Sequence, residues 1–191
     1  PVFADPGEFS ALRILIAVYA FAFQIYADFS GYTDIARGSA KLLGFDIMLN
    51  FNLPYFARNP QDFWRRWHIS LSRWLRDYLY ISLGGNRGTR AMVLRNLMIT
   101  MALGGLWHGA RWNFVIWGIY HGLLLIGYRL LTHRSERDET PRGRQFAQMA
   151  IMFHWTCLGW IFFRIQSVAD LPKFFGGAMG MLTDGASDFA A

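Results

Sequence analysis

Imidazole is the side chain best suited to move a proton near neutral pH, and the chain holds five of them: His68, His108, His121, His133 and His154. His108 has the setting that most invites chemistry. Gly104, Gly105 and Gly109 surround it, Trp107 and Trp112 bracket it, and the stretch lies within the longest apolar region of the sequence. Glycines allow another backbone or a substrate to approach closely, and the two indoles could wall the site from lipid. An ionisable group at membrane depth is costly and by default marks a functional site. His108 is therefore the first candidate for a general base, with helix-to-helix hydrogen bonding as the plainer alternative.

The other histidines have weaker settings. His68 falls on the aromatic side of a helical pattern and could meet His108 at a cavity, or merely hydrogen-bond within an aromatic cluster. His121 lies about 140° around a continuous helix from His108, so it reads as a packing or supporting residue beside Gly122. His133 belongs to a charged loop and reads as solvated. His154 sits among Phe153, Trp155 and Cys157 and reads as packing. No acidic residue accompanies these histidines between Asp77 and Glu136, and their spacing lacks the His-Glu-x-x-His pattern of a zinc helix. No metal is expected. The single Cys157 excludes an internal disulfide and a cysteine-based zinc cluster. The sequence also lacks a Gly-x-Ser-x-Gly elbow, a dinucleotide fingerprint and a phosphate loop, so hydrolase, dehydrogenase and nucleotidase readings have no motif to rest on.

The elements that would carry these side chains are helices in or on a membrane. Of the 191 residues, 53% are hydrophobic, 17% aromatic and only 17% charged, with mean hydropathy of +0.19. That composition departs from soluble averages toward a polytopic membrane protein with substantial polar loops. A chain that opens at Pro1 without methionine reads as part of a longer protein, here one membrane domain over residues 1–191. The net charge of +6 comes from arginines set between apolar segments, which suits membrane topology better than nucleic acid.

Asp5-Pro6-Gly7-Glu8 predicts a helix start, and the first span is expected over residues 8–26. It would end in a polar and aromatic cluster, residues 26–34, where Asp28, Ser30 and Asp34 interrupt the apolar run. Two readings stay open for that cluster, a helix end at the membrane interface or an anchor for substrate or backbone. Residues 35–90 carry too many arginines to span and read as cytoplasmic or interfacial.

Within that region Asn59-Pro60-Gln61-Asp62 predicts another capped start. Trp64, Trp67, Leu71, Trp74, Leu75 and Tyr78 then fall on one helical side, and Arg65, Arg66, Arg73, Arg76 and Asp77 on the other. That is the pattern of one amphipathic helix lying in the interface plane. Gly84-Gly85-Asn86-Arg87-Gly88 reads as a turn. Further spans are expected over residues 91–107, 113–131 and 146–164, with a break near 108–113 and a charged loop over 132–145. Two spans separate the basic regions 35–90 and 132–145, so both should face the cytoplasm.

Four motifs in order resemble the membrane-bound O-acyltransferase family: residues 24–34 from Gln24 to Asp34, residues 62–72 with Trp67-His68, then Gly85-Asn86-Arg87, then Leu106-Trp107-His108-Gly109. The match is strongest to the bacterial branch that O-acetylates alginate and other exopolysaccharides, with teichoic-acid D-alanyl transferase a near relative. The resemblance implies an all-α, multi-span core around a tunnel, of which this chain is a C-terminal part. It implies His108 and His68 as catalytic residues. Trp67, Trp107, Trp112, Asp28, Ser30, Asp34, Asn86, Arg87 and His121 are the expected site-lining or substrate-binding residues.

The resemblance further implies no bound cofactor, acetyl-coenzyme A as acyl donor, a polysaccharide acceptor, and acetylation partner proteins in the membrane or periplasm. The location implied is the bacterial inner membrane. A transporter or a noncatalytic scaffold of a polysaccharide export complex stands as the rival class.

Overall fold

The computed structural model describes residues 2–3, 5–132, 141–165, 167–172 and 174–176. Among them the regular structure is helical throughout, with no strand. Three helices are long and apolar enough to cross a membrane: α1 (Ala11–Leu42), α5 (Trp112–Leu131) and α6 (Arg142–Arg164). The intervening helices are α2 (Pro60–Arg66), α3 (Ile69–Trp74) and α4 (Arg90–Trp107). α4 falls short of the spanning class because Arg90, Arg95 and Asn96 interrupt its apolar run, yet it packs along α5 as one arm of a hairpin.

Helix α1 corrects the expected boundaries at both ends. Pro6–Glu8 forms a separate 3-10 turn with Pro6 buried, and the long helix begins after Ser10. It then runs through Gly31 and Asp34 to Leu42 instead of ending at Tyr26. The polar cluster is absorbed locally: Thr33 donates to the Ser30 carbonyl at 3.0 Å, and Arg37 reaches Asp34 at 3.5 Å. Side chains that return to their own helix in this way cost little, so the helix continues.

The expected amphipathic helix is also divided. Asn59 caps α2 by accepting from the Asp62 amide at 2.8 Å, Pro60 opens its first turn, and Arg66 pairs with Asp62 at 2.7 Å. The helix stops at Trp67, and His68 adopts left-handed backbone (φ 42°, ψ 57°) before α3 starts. Asn50 secures the break: its carbonyl accepts from the Ile69 amide at 3.0 Å, and its side chain accepts from the Ser70 amide and hydroxyl at 3.1 and 2.7 Å. α3 then widens into a π-helical turn, Leu75–Tyr80. The rotation separates the apolar residues that periodicity had grouped. Trp67, Leu71 and Leu75 are buried, while Trp74 and Tyr78 are exposed.

The hairpin arms approach closely through two glycines. Gly105 of α4 faces the Phe114 carbonyl, and a Cβ added there would stand 3.1 Å from the Gly118 Cα. Gly118 likewise meets the Met101 carbonyl. Any side chain at either position would strike backbone that cannot yield. The break falls at residues 108–111, and Thr89 caps the far end of α4 at 3.3 Å from the Met92 amide.

An aromatic core locks this hairpin to α2, α1 and α6. Phe63 and Trp67 stack at 5.8 Å, Trp67 meets Trp160 at 4.8 Å, and Trp117 stacks on Trp160 at 6.1 Å. Tyr120 donates to the Trp155 carbonyl at 2.7 Å, Asn113 donates to the Ile165 carbonyl at 3.2 Å, and the Tyr55 hydroxyl donates to the Ala22 carbonyl. His154, which reads as a packing residue in the sequence, contacts the Tyr19 hydroxyl at 2.8 Å and the Ala150 carbonyl at 2.7 Å, and so ties α6 to α1.

Candidate active site

His68 and His108 face one cavity of about 470 Å³, within the range of small-molecule sites. They reach it from different elements. His108 follows the last residue of α4, where the hairpin turns, and His68 sits at the left-handed break between α2 and α3. Such backbone is unusual for a residue with a Cβ and recurs where a side chain must be held in a particular direction. Both histidines also line a narrow crevice leading toward Leu75 and Met101.

Aromatic rings hold each imidazole. Phe29 meets His68 edge-on at 4.7 Å. Trp117 stands at 90° to His108 at 5.2 Å, and Phe163 at 80° and 5.1 Å. Trp107 contacts both rings, His68 at 6.3 Å and His108 at 5.2 Å. The Ser70 hydroxyl lies 3.4 Å from His68 Nδ1.

Burial in this apolar shell disfavours the charged form. His68 is pushed down to about 4, chiefly by desolvation and then by the nearby His108. His108 is also lowered by desolvation. Burial thus favours the neutral ring in both, the state in which an imidazole nitrogen can accept a proton.

The remaining expected site residues divide. Trp67 and Asp28 line the same cavity, with Gln24 one turn before Asp28. Trp112 is 74% exposed and lines no part of the cavity, because it opens α5 on the outer side of the hairpin turn. Ser30 bonds back to the Ala27 carbonyl at 3.4 Å, and Asp34 is turned to Arg37, so neither lines the cavity. Asn86 accepts from Tyr80 at 2.9 Å and from Arg129 at 3.0 Å, fastening the glycine turn to α5. Arg87 is exposed in that turn. Both lie away from the cavity lining.

His121 is also excluded from the lining. It is wholly buried, with Phe63 stacked at 5.8 Å, Trp117 at 4.9 Å and Trp64 at 5.2 Å around it. Neither ring nitrogen has a hydrogen-bond partner among the described residues. His133 lies outside the described residues, as does most of the charged loop expected over 132–145. Among the described residues no group of three or more His, Cys, Asp or Glu side chains converges as a metal site.

Sequence reasoning missed Trp117, Trp160 and Phe163 as walls of the cavity. A signal for the first was present: Asn113, Trp117 and His121 recur every four residues and share one buried stripe of α5. The other two lie three apart on α6, but only the tertiary fold brings that helix to His108.

A polytopic helical membrane protein with two imidazoles at one aromatic cavity is the class defined by fold and site. The membrane-bound O-acyltransferase family profile matches residues 5–169, and the chain belongs to this family. A probable alginate O-acetylase of Azotobacter vinelandii is 49% identical over 153 residues, covering 80% of this chain and 30% of that protein. A peptidoglycan O-acetyltransferase of Helicobacter pylori is 41% identical over 184 residues, 94% of this chain and 35% of that protein. A teichoic acid D-alanyltransferase of Bacillus subtilis is 32% identical over 160 residues, 78% and 40% respectively. The chain thus spans about a third of the length of these curated relatives.

Proposed function

We propose that the protein containing this chain is an O-acyltransferase that moves an acetyl group from a thioester donor, acetyl-coenzyme A, toward hydroxyls of an exported polysaccharide such as alginate. The observation that carries the reading is the convergence of His68 and His108 on one cavity, within the stretch matched by the family. Acetyl is favoured over D-alanyl because the two acetyltransferase relatives share 49% and 41% identity, against 32% for the D-alanyltransferase. The acceptors in those relatives' names differ, so the acceptor rests on the alginate likeness.

In the proposed chemistry His108 takes the proton from the attacking hydroxyl. The oxygen forms a bond to the thioester carbonyl carbon, the carbon–sulfur bond breaks, and the departing thiolate recovers the proton from the imidazolium. The hydroxyl belongs to the polysaccharide or to a carrier group that accepts the acyl unit first. His68 hydrogen-bonds and orients a reacting group. The site lies in the inner membrane, its donor entering from the arginine-rich cytoplasmic side, where guanidinium groups suit anionic phosphates. Acetylation partner proteins would receive the product.

The test is transfer from radiolabelled acetyl-coenzyme A by the full-length enzyme. His108→Ala is expected to lower kcat at least about 100-fold, the scale of a lost general base, with membrane insertion unchanged. Normal polysaccharide acetylation by that variant would overturn the reading. Dispensability of both histidines would favour a scaffold.

A further inference from the structure

Asp28 is the only acidic side chain on the cavity lining formed by the described residues, and the proton transfer above does not use it. It is the first Asp, Glu, Lys or Arg of α1 after Arg13. One turn before it stands Gln24, so the two polar groups share a helical face, and both line the cavity that receives His68 and His108. The rest of that lining is largely aromatic, including Phe29, Trp67, Trp117 and Phe163. Asp28 makes no hydrogen bond or ion pair with any described residue, whereas Asp34 on the same helix is engaged by Arg37.

An ionised carboxylate only accepts hydrogen bonds. It repels the phosphates of a nucleotide-bearing thioester and attracts hydroxyl donors. Its place, exposed on a lining shared with two imidazoles, therefore suits the hydroxyl-bearing partner of the reaction. Resting on the acyltransferase reading above, we propose that Asp28 binds a polyhydroxylated acceptor, accepting a hydrogen bond from one hydroxyl so that a second is held for His108. The reacting hydroxyl gives its proton to His108, and Asp28 takes part only as a hydrogen-bond acceptor. Gln24 supplies a further donor and acceptor on the same side.

The test uses full-length enzyme in detergent with radiolabelled acetyl-coenzyme A and three acceptor probes: a mannuronate tetramer, cellotetraose, and ethanol as a one-hydroxyl control. Hydrolysis of the donor by water is followed in parallel. Asp28→Asn is expected to raise KM for the sugars about tenfold or more, the scale of a hydrogen bond to a charged group. The loss should fall more heavily on the sugars than on ethanol, read as the ratio of their kcat/KM values, and Asp28→Glu should recover part of it. An unchanged sugar KM overturns the assignment. An equal loss of hydrolysis and transfer, or loss of a monodisperse gel-filtration peak, makes Asp28 a general or structural requirement and overturns it as well. If the wild-type enzyme acetylates neither sugar, the assignment of Asp28 to a polyhydroxylated acceptor falls; if it also fails to transfer to ethanol and to hydrolyse the donor, the acyltransferase reading falls separately.

Discussion

His68 combines two demands at a single residue. Its backbone turns the chain between α2 and α3 in left-handed geometry, while its ring enters the cavity. These demands can be separated by substitution. Asn tolerates left-handed backbone, whereas a β-branched residue does not. His68→Asn should therefore fold and lose activity, and His68→Val should lose about 1–2 kcal/mol of stability besides, read as a lower melting temperature in detergent. Titration gives an independent check. The folded-state value of about 4 lies below the unfolded value of about 6.5. Between these pH values the unfolded chain binds the extra proton and the folded chain does not. The stability linked to neutral His68 is complete above pH 6.5 and is lost as pH falls toward 4. The melting temperature should fall across that window, and His68→Asn should flatten the slope. Identical slopes for both proteins would refute this account.

At the scale of elements, the α4–α5 hairpin sets the depth and direction of His108. Because Gly105 and Gly118 each face the backbone of the opposite arm, Gly105→Ala or Gly118→Ala should spread the arms and destabilise the protein by about 1–3 kcal/mol. The same shift should lower transfer activity even in protein that remains folded at the assay temperature. Thermal melts paired with kcat measurements check this, and wild-type values for both would refute it.

The hairpin was legible in the sequence because glycines and Asn113 interrupt an apolar run too long for one helix. The α2 start was legible from Asn59-Pro60. The division at His68 was not, because helical periodicity continues on both sides and the partner that secures the break, Asn50, lies far upstream. The extension of α1 past Tyr26 was hidden for a related reason: Ser30, Gly31, Thr33 and Asp34 disfavour a helix one by one, but Thr33 and Asp34 find partners within it. Trp112 carried the same flanking signal as Trp107, yet the turn points it outward and brings in Trp117 instead.

At the scale of the whole molecule, charge and helix direction together predict orientation. The start of α4 and the end of α5 lie on the same side of the hairpin, and the arginines before and after it favour the cytoplasm. In a cysteine-free background of the full-length protein, with Cys157→Ala among the changes, Arg87→Cys should react with a membrane-permeant thiol reagent in intact cells and not with an impermeant one. Labelling by the impermeant reagent would reverse the topology. Large apolar side chains also remain uncovered on α1 and beyond it, among them Leu42 at 90% exposure and Leu43 at 76%.

The origin of the two histidines in separate elements bears on how the cavity is assembled during synthesis. The hairpin carrying His108 closes through local contacts between neighbouring helices, whereas His68 reaches it only after the α2–α3 segment docks from outside that unit. Closure of the hairpin and docking of α2–α3 onto it are expected to be separable, since the second depends on contacts more distant along the chain. A variant impaired only in docking would be synthesised, inserted and retained in the membrane while remaining inactive. Abundance in the membrane fraction would then be blind to the defect, and protection of residues 59–75 from proteolysis would report it.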